Sequence, residues 1–253
     1  MHLLPLTSYL ITFQEIMKLI SFLYQWLVAI PLLVVITIVI ALATSIGSIL
    51  FGGKWWGYYP PHLWAKCWCR LFFIKVRVEG REHIDPATSY VFVANHQSSY
   101  DIYSIYGYLG HNFKWMMKKS LEKVPFVGVA CRCAGHIMVD RSSAAAVKRT
   151  METAKQRLQG GMSLVVFPEG ARTWDGKMRG FKRGAFKLAM DFNLPIVPIT
   201  INGAFEVMPR TTYQIKPFGT ITLTIHRPIV HNGEDLDTIM AQCHSIIESR
   251  LNK

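Results

Sequence analysis

In the stretch Asn95-His96-Gln97-Ser98-Ser99-Tyr100-Asp101, an imidazole and a carboxylate stand five residues apart. If the chain turns from strand to helix between them, the Asp101 carboxylate reaches back to one ring nitrogen of His96 and leaves the other free as a base. Holding the tautomer and stabilising the imidazolium is the part a carboxylate plays in Ser-His-Asp triads. No Gly-x-Ser-x-Gly elbow occurs in the sequence, which favours a hydroxyl brought in from outside as the nucleophile. Taken alone, a His-x4-Asp pair more often caps a helix or fills a polar pocket.

Further along, Phe167-Pro168-Glu169-Gly170-Ala171-Arg172 forms a tight turn carrying one acid and one guanidinium. Arginine there suits a phosphate monoester, which it grips with two parallel N–H donors, and Gly170 permits close backbone approach. By itself such a turn is more often an exposed loop with a solvated ion pair. Two more basic clusters accompany it: Gly135-His136-Ile137-Met138-Val139-Asp140-Arg141, and Arg179-Gly180-Phe181-Lys182-Arg183-Gly184 ahead of a helix whose N-terminus also favours anions. Lys118, Lys119, Lys182 and Arg183 are lesser candidates for phosphate or donor contacts.

The elements that must position these groups follow from apolar patterning. Strands are expected over 74–79, 90–94, 113–117, 136–139, 163–167, 196–201 and 221–225, and helices over 101–109, 143–158, 182–192 and 236–251. This alternation predicts an α/β fold with a mostly parallel central sheet flanked by helices. Both chemistry-bearing motifs follow short β-rich runs, which puts them in strand-end loops on one edge of the sheet, where such folds place ligands.

From Leu19 to Gly53 there is no Asp, Glu, Lys or Arg. If helical throughout, the 35 residues would run roughly 50 Å against about 30 Å of hydrocarbon, so this is a membrane segment longer than one straight span. A break at Pro31 or Gly47 with a second arm from Leu3 to Met17 would give a helix hairpin; a single tilted helix is the alternative. The start lacks a positive cluster and a small-residue cleavage site, which argues against a signal peptide. The expected organisation is a membrane-embedded segment over 1–53 and a catalytic domain over 54–253.

The net charge of +12 lies beyond that segment. Lys54, Lys66, Arg70, Lys75 and Arg77 place the domain on the cytoplasmic face by the positive-inside rule, and an anionic leaflet would attract them. Trp55, Trp56, Tyr58, Tyr59, Trp64 and Trp68 suit an interfacial belt; an amphipathic core helix is the other reading of that stretch. No helix-turn-helix, zinc-finger or RNP pattern occurs, so nucleic acid is not an expected partner. Cys67-x-Cys69 and Cys131-x-Cys133 are spaced too tightly for a usual structural zinc site, and free thiols are expected.

The ordered set Asn95-His96-x4-Asp101, Gly135-x-Ile137-x-Val139-x-Arg141, Phe167-Pro168-Glu169-Gly170-x-Arg172 and Val197-Pro198-Ile199 resembles the four blocks of the glycerolipid acyltransferases, and within them the lysophosphatidate acyltransferase family. The resemblance spans about residues 74–205. It implies that fatty acyl passes from acyl-CoA or acyl carrier protein to the 2-hydroxyl of lysophosphatidate, giving phosphatidate for phospholipid synthesis. It further implies His96 as general base, Asp101 as its partner, and Glu169, Gly170, Arg172 and Arg141 around the acceptor. No metal and no cofactor is implied, since a thioester is already activated. Ala171 stands where the family usually has threonine or serine, which removes one hydroxyl contact. A different acceptor (glycerol-3-phosphate, another lysophospholipid or an acylated amino acid), a lipid hydrolase and a non-catalytic lipid-binding protein are the competing readings. The compactness of the chain favours a bacterial inner membrane.

Overall fold

Short apolar runs separated by turns become strands here, and the 3.6-periodic segments between them become the covering helices. The computed structural model describes residues 6–140, 142–159, 161–231 and 233–252. In chain order the elements are α1 (Leu6–Tyr24), α2 (Ile30–Phe51), α3 (Tyr59–Leu71), β1 (Lys75–Glu79), β2 (Val91–Ala94), α4 (Tyr100–Tyr108), β3 (Phe113–Lys118), α5 (Val127–Cys133), β4 (Ile137–Val139), α6 (Ala144–Gln159), β5 (Ser163–Val166), α7 (Gly184–Asp191), β6 (Ile196–Asn202), α8 (Ala204–Val207), β7 (Thr220–Ile225) and α9 (Leu236–Ser249).

The seven strands of the described residues form one sheet in the order β1-β7-β6-β2-β5-β3-β4. All neighbours are parallel except β6 and β7, so β7 and β1 run against the rest. The sheet is thus mostly parallel, as its near-continuous apolar strands require. Period-2 alternation divides β2 between two cores: Phe92 and Ala94 pack with α3 and α4 side chains, whereas Val91 and Val93 pack with α7 and α9. Each such fully buried Phe or Val contributes about 1.5–3 kcal/mol. The carboxyl ends of β2, β5, β3 and β6 share one edge.

Residues Leu6–Phe51 are helical without interruption, and no hairpin forms at Pro31 or Gly47. A π-helical turn, Gln25–Ala29, precedes Pro31 and widens the coil where its ring would meet the carbonyl four residues back. The helix ends at Gly52, whose φ of +88° an L side chain rarely adopts. Gln25, Ala29, Leu33, Ala41, Ser45 and Ser48 are buried, roughly every fourth residue, so one stripe lies on the α/β domain while Leu27, Val35 and Ile49 stay exposed. Gly47 is required on this stripe because the Trp56 ring occupies the space a Cβ would need. Gln14–Phe51 is the one helix among the described residues long and apolar enough to cross a membrane.

The aromatic stretch after it is α3, which packs against α2 and α4. It is two-sided: Tyr59 and Leu63 are exposed, and Ala65 and Cys69 are buried. The Trp64 indole N–H donates to Thr37 Oγ1 at 2.8 Å, tying α3 to α2.

Candidate active site

At the end of β2 the side-chain amide of Asn95 donates to the Ile201 carbonyl (2.9 Å) and accepts from the Ile201 N–H (2.8 Å). This fastens the loop that follows to the end of β6. His96 comes next, and its Nδ1 lies 2.9 Å from Asp101 Oδ2. The same oxygen accepts the backbone N–H groups of Gln97 (2.6 Å) and Ser98 (2.7 Å). An acceptor already receiving two backbone donors assigns the imidazole proton to Nδ1 and leaves a lone pair on Nε2. Asp101 is fully buried in the first turn of α4, whose positive end favours a carboxylate, while the His96 side chain keeps 13% of its surface open.

The loop after β5 supports His96 from the other side. Glu169 Oε1 accepts the His96 N–H at 2.7 Å, and Oε2 accepts the Arg179 N–H at 3.0 Å. Thr173 N–H donates to the His96 carbonyl at 3.0 Å. The His96 backbone is therefore held at both its donor and its acceptor. Burial pushes the Glu169 carboxyl up to about 7, against the two backbone donors that hold it down. Phe167 lays its ring against the imidazole, and Trp115 lies behind Phe167 with 5.5 Å between centroids. Gly170 turns the chain at φ +77°, and its N–H donates to the Phe167 carbonyl at 3.0 Å.

Arg172 reaches back to the first loop, its Nη1 donating to Ser99 Oγ at 2.8 Å. Its carbonyl accepts from Arg210 Nη1 at 2.7 Å, and the Arg210 guanidinium lies 3.9 Å over the Trp174 ring. Ser98 Oγ donates to the Met208 carbonyl at 2.7 Å, so the segment after α8 touches both loops.

His96, Asp101, Glu169, Gly170 and Arg172 are thus assembled in one place. Lys182 joins them through its backbone N–H, which donates to the Pro168 carbonyl at 3.0 Å. Lys118 ends β3 on the same sheet edge, beside Val139 of β4, with no described contact to His96. Lys119 pairs with Asp140 at 2.6 Å, and that contact together with the Ser142 N–H holds the Asp140 carboxyl below the usual range. Arg141 lies outside the described residues. Sequence reasoning did not anticipate Asn95 as a clamp, Phe167 as a ring support or Arg210. Asn95 and Phe167 are the first residues of the two motifs, whereas Arg210 carries no local signal.

A histidine oriented by a buried carboxylate, at the carboxyl edge of an α/β sheet and beside a guanidinium, has the geometry that a general base acting on a hydroxyl requires. The chain belongs to the acyltransferase family, whose model matches residues 75–202. It is 32% identical over 220 residues to a 1-acyl-sn-glycerol-3-phosphate acyltransferase of Chlamydomonas reinhardtii, covering 86% of this chain and 64% of that one. A chloroplastic 1-acyl-sn-glycerol-3-phosphate acyltransferase of Arabidopsis thaliana is 34% identical over 76% of this chain and 54% of its own. The chain spans about half to two thirds of the length of these curated relatives. The crystal structure of the 1-acyl-sn-glycerophosphate acyltransferase PlsC from Thermotoga maritima superposes with a TM-score of 0.77 at 25% identity, over 93% of this chain and 95% of that one.

Proposed function

We propose that the protein transfers a fatty acyl group from a thioester, acyl-CoA or acyl carrier protein, to the 2-hydroxyl of lysophosphatidate. The observation that carries this reading is the His96–Asp101 pair held against the turn that bears Arg172. His96 Nε2 takes the hydroxyl proton as the oxygen attacks the thioester carbonyl. The C–O bond forms, the tetrahedral intermediate collapses with loss of the C–S bond, and the imidazolium returns its proton to the departing thiolate. Asp101 stabilises the imidazolium, and no acyl-enzyme is needed. Arg172 holds the acceptor phosphate with the N–H donors that Ser99 leaves open.

The engagement of both Glu169 oxygens by backbone donors supports a positioning role for that carboxylate, set on His96, rather than an acceptor contact. Gly170 gives the turn its close approach, and Lys118, Lys182 and Arg141 supply cations for the donor or the acceptor phosphate. Residues 1–53 embed in the bilayer, and the basic residues that follow set the domain of 54–253 on the cytoplasmic face of a bacterial inner membrane. Similarity to proteins named for this activity supports the acceptor assignment.

The test is acyl transfer by detergent-solubilised protein, wild type beside His96→Ala, with labelled acyl-CoA or acyl carrier protein and lysophosphatidate, glycerol-3-phosphate or lysophosphatidylcholine. Labelled phosphatidate from the wild type and lysophosphatidate alone is expected. Product from another acceptor would change the substrate and keep the mechanism; free fatty acid without acceptor would replace transfer by hydrolysis.

A further inference from the structure

Phe73 and Phe218 stack on each other with 4.9 Å between centroids and 14° between planes. Both have left-handed backbones, φ +57° and +61°, a region bulky side chains rarely occupy. Both are exposed, at 54% and 70% of their surface. An aromatic pair held in an unfavourable backbone region and turned toward solvent is not built for the core, and such outliers concentrate where a surface has work to do.

Their surroundings name the partner. Tyr24, the last residue of α1, lies 6.3 Å from the Phe73 ring, and its hydroxyl donates to the Leu71 carbonyl at 2.8 Å. The pair therefore stands where the apolar helix meets the catalytic domain. Beyond that point α1 runs 19 residues, roughly 28 Å, with the side chains of 14–20 all exposed. Tyr213, 85% exposed, belongs to the same collar, because its carbonyl accepts from the Gln25 amide at 2.7 Å. Arg70, Lys75 and Lys216 are exposed and lie within three residues of one phenylalanine or the other. Apolar rings rimmed by cations match an anionic bilayer surface, rings in the acyl boundary and charges among the headgroups.

The sheet decides which way this collar faces. Phe218 and Phe73 precede β7 and β1, which run opposite to the other strands and begin at the edge where β6 ends. That is the edge carrying His96. We propose that the Phe73–Phe218 pair is a membrane-docking element of the catalytic domain, separate from the apolar helix, which seats the active-site edge against an anionic phospholipid surface.

The test uses full-length protein in vesicles of phosphatidylethanolamine and phosphatidylglycerol, with a benzophenone amino acid in place of Phe218, Leu27 or Val230. Leu27 is exposed on the apolar helix, and Val230 is exposed on the opposite sheet edge, next to the Ile196–Ile229 bridge. Irradiation is expected to give lipid adducts from positions 27 and 218 and none from 230. Adducts from 27 alone would overturn the proposal. The crosslink is read without turnover, so its failure is distinct from failure of the acyl-transfer reading. A second variant, Phe73→Asn with Phe218→Asn, keeps a residue that tolerates the left-handed region. Its thermal midpoint in detergent is expected to hold while its rate on vesicles, relative to micelles, falls about tenfold, a loss of about 1.4 kcal/mol in transition-state stabilisation. A lowered midpoint with an unchanged ratio would make the pair merely structural.

Discussion

The His96 imidazole lies parallel to the Phe167 ring, 3.9 Å between centroids and 9° between planes. With Nδ1 tied to Asp101, the stack fixes the one rotation left to the ring. Phe167→Leu keeps the apolar volume and loses the face. It is expected to lower kcat by about two- to tenfold with the acceptor KM unchanged, the value of one aromatic stack. Steady-state kinetics across acceptor concentration check this.

Asp101→Asn exchanges an acceptor for a group that is half donor. In one flip the amide nitrogen would face all three donors that Oδ2 now accepts, His96 Nδ1–H and the Gln97 and Ser98 N–H groups, and would push the imidazole proton to Nε2; in the other the amide oxygen keeps those bonds but without the charge that stabilises the imidazolium. A fall in kcat on the order of 10⁴ is expected, by analogy with loss of the correct tautomer in triads. If Asp101→Asn kept more than a tenth of the rate, the orienting role would be wrong.

The Glu169 carboxyl sits near 7 in the fold against an ordinary value of 4.5. A raised folded value means that the native state binds the proton more tightly than the unfolded chain. The stability contributed is fully present below pH 4.5 and is lost as pH rises through about 7. Urea unfolding between pH 4 and about 8 is expected to show this decline in the wild type and a flatter profile in Glu169→Gln.

Arg172→Ala is expected to raise KM for lysophosphatidate by about ten- to a hundredfold, the range for a charged hydrogen bond, and to leave an unphosphorylated analogue nearly unaffected. Arg210→Ala removes the donor on the Arg172 carbonyl and is expected to raise the same KM by a smaller factor. Because Arg210 acts through Arg172, the double variant should lose less than the product of the two, which a double-mutant cycle reads directly.

Gly47→Ala places a methyl group inside the Trp56 ring, at its inner atoms and not at a movable tip. A loss of about 1–3 kcal/mol is expected from overpacking, seen as a lower thermal midpoint in detergent. Trp56→Ala added to it should restore part of the loss.

Local chemistry made the strands readable: Val91–Ala94 and residues 164–166 are apolar on both faces because both faces are covered. The His96–Asp101 contact was readable because a strand-to-helix turn spans five residues. Arg210 lies 38 residues from Arg172, and Glu169 lies 73 from His96, so their contacts exist only once β5 and β6 take their places beside β2. The unbroken helix was hidden for a different reason. Pro31 reads as a break, and the π turn that absorbs it leaves no composition signal. Short α5 and α8 were missed because neither is long enough to declare a period.

Gln25 places a time constraint on the making of the chain. Its amide donates to the Tyr213 carbonyl and its carbonyl oxygen accepts the Ile215 N–H at 2.9 Å, partners 188 and 190 residues later. At about 5–20 residues per second the ribosome needs roughly 10–40 s to deliver them. Over that interval the Gln25 amide, which lies in the stretch from Leu19 to Gly53 that has no Asp, Glu, Lys or Arg, lacks both of these partners. The earliest segment made is then among the last to be locked, because its seat on the domain is completed only when the segment after α8 has folded beside it.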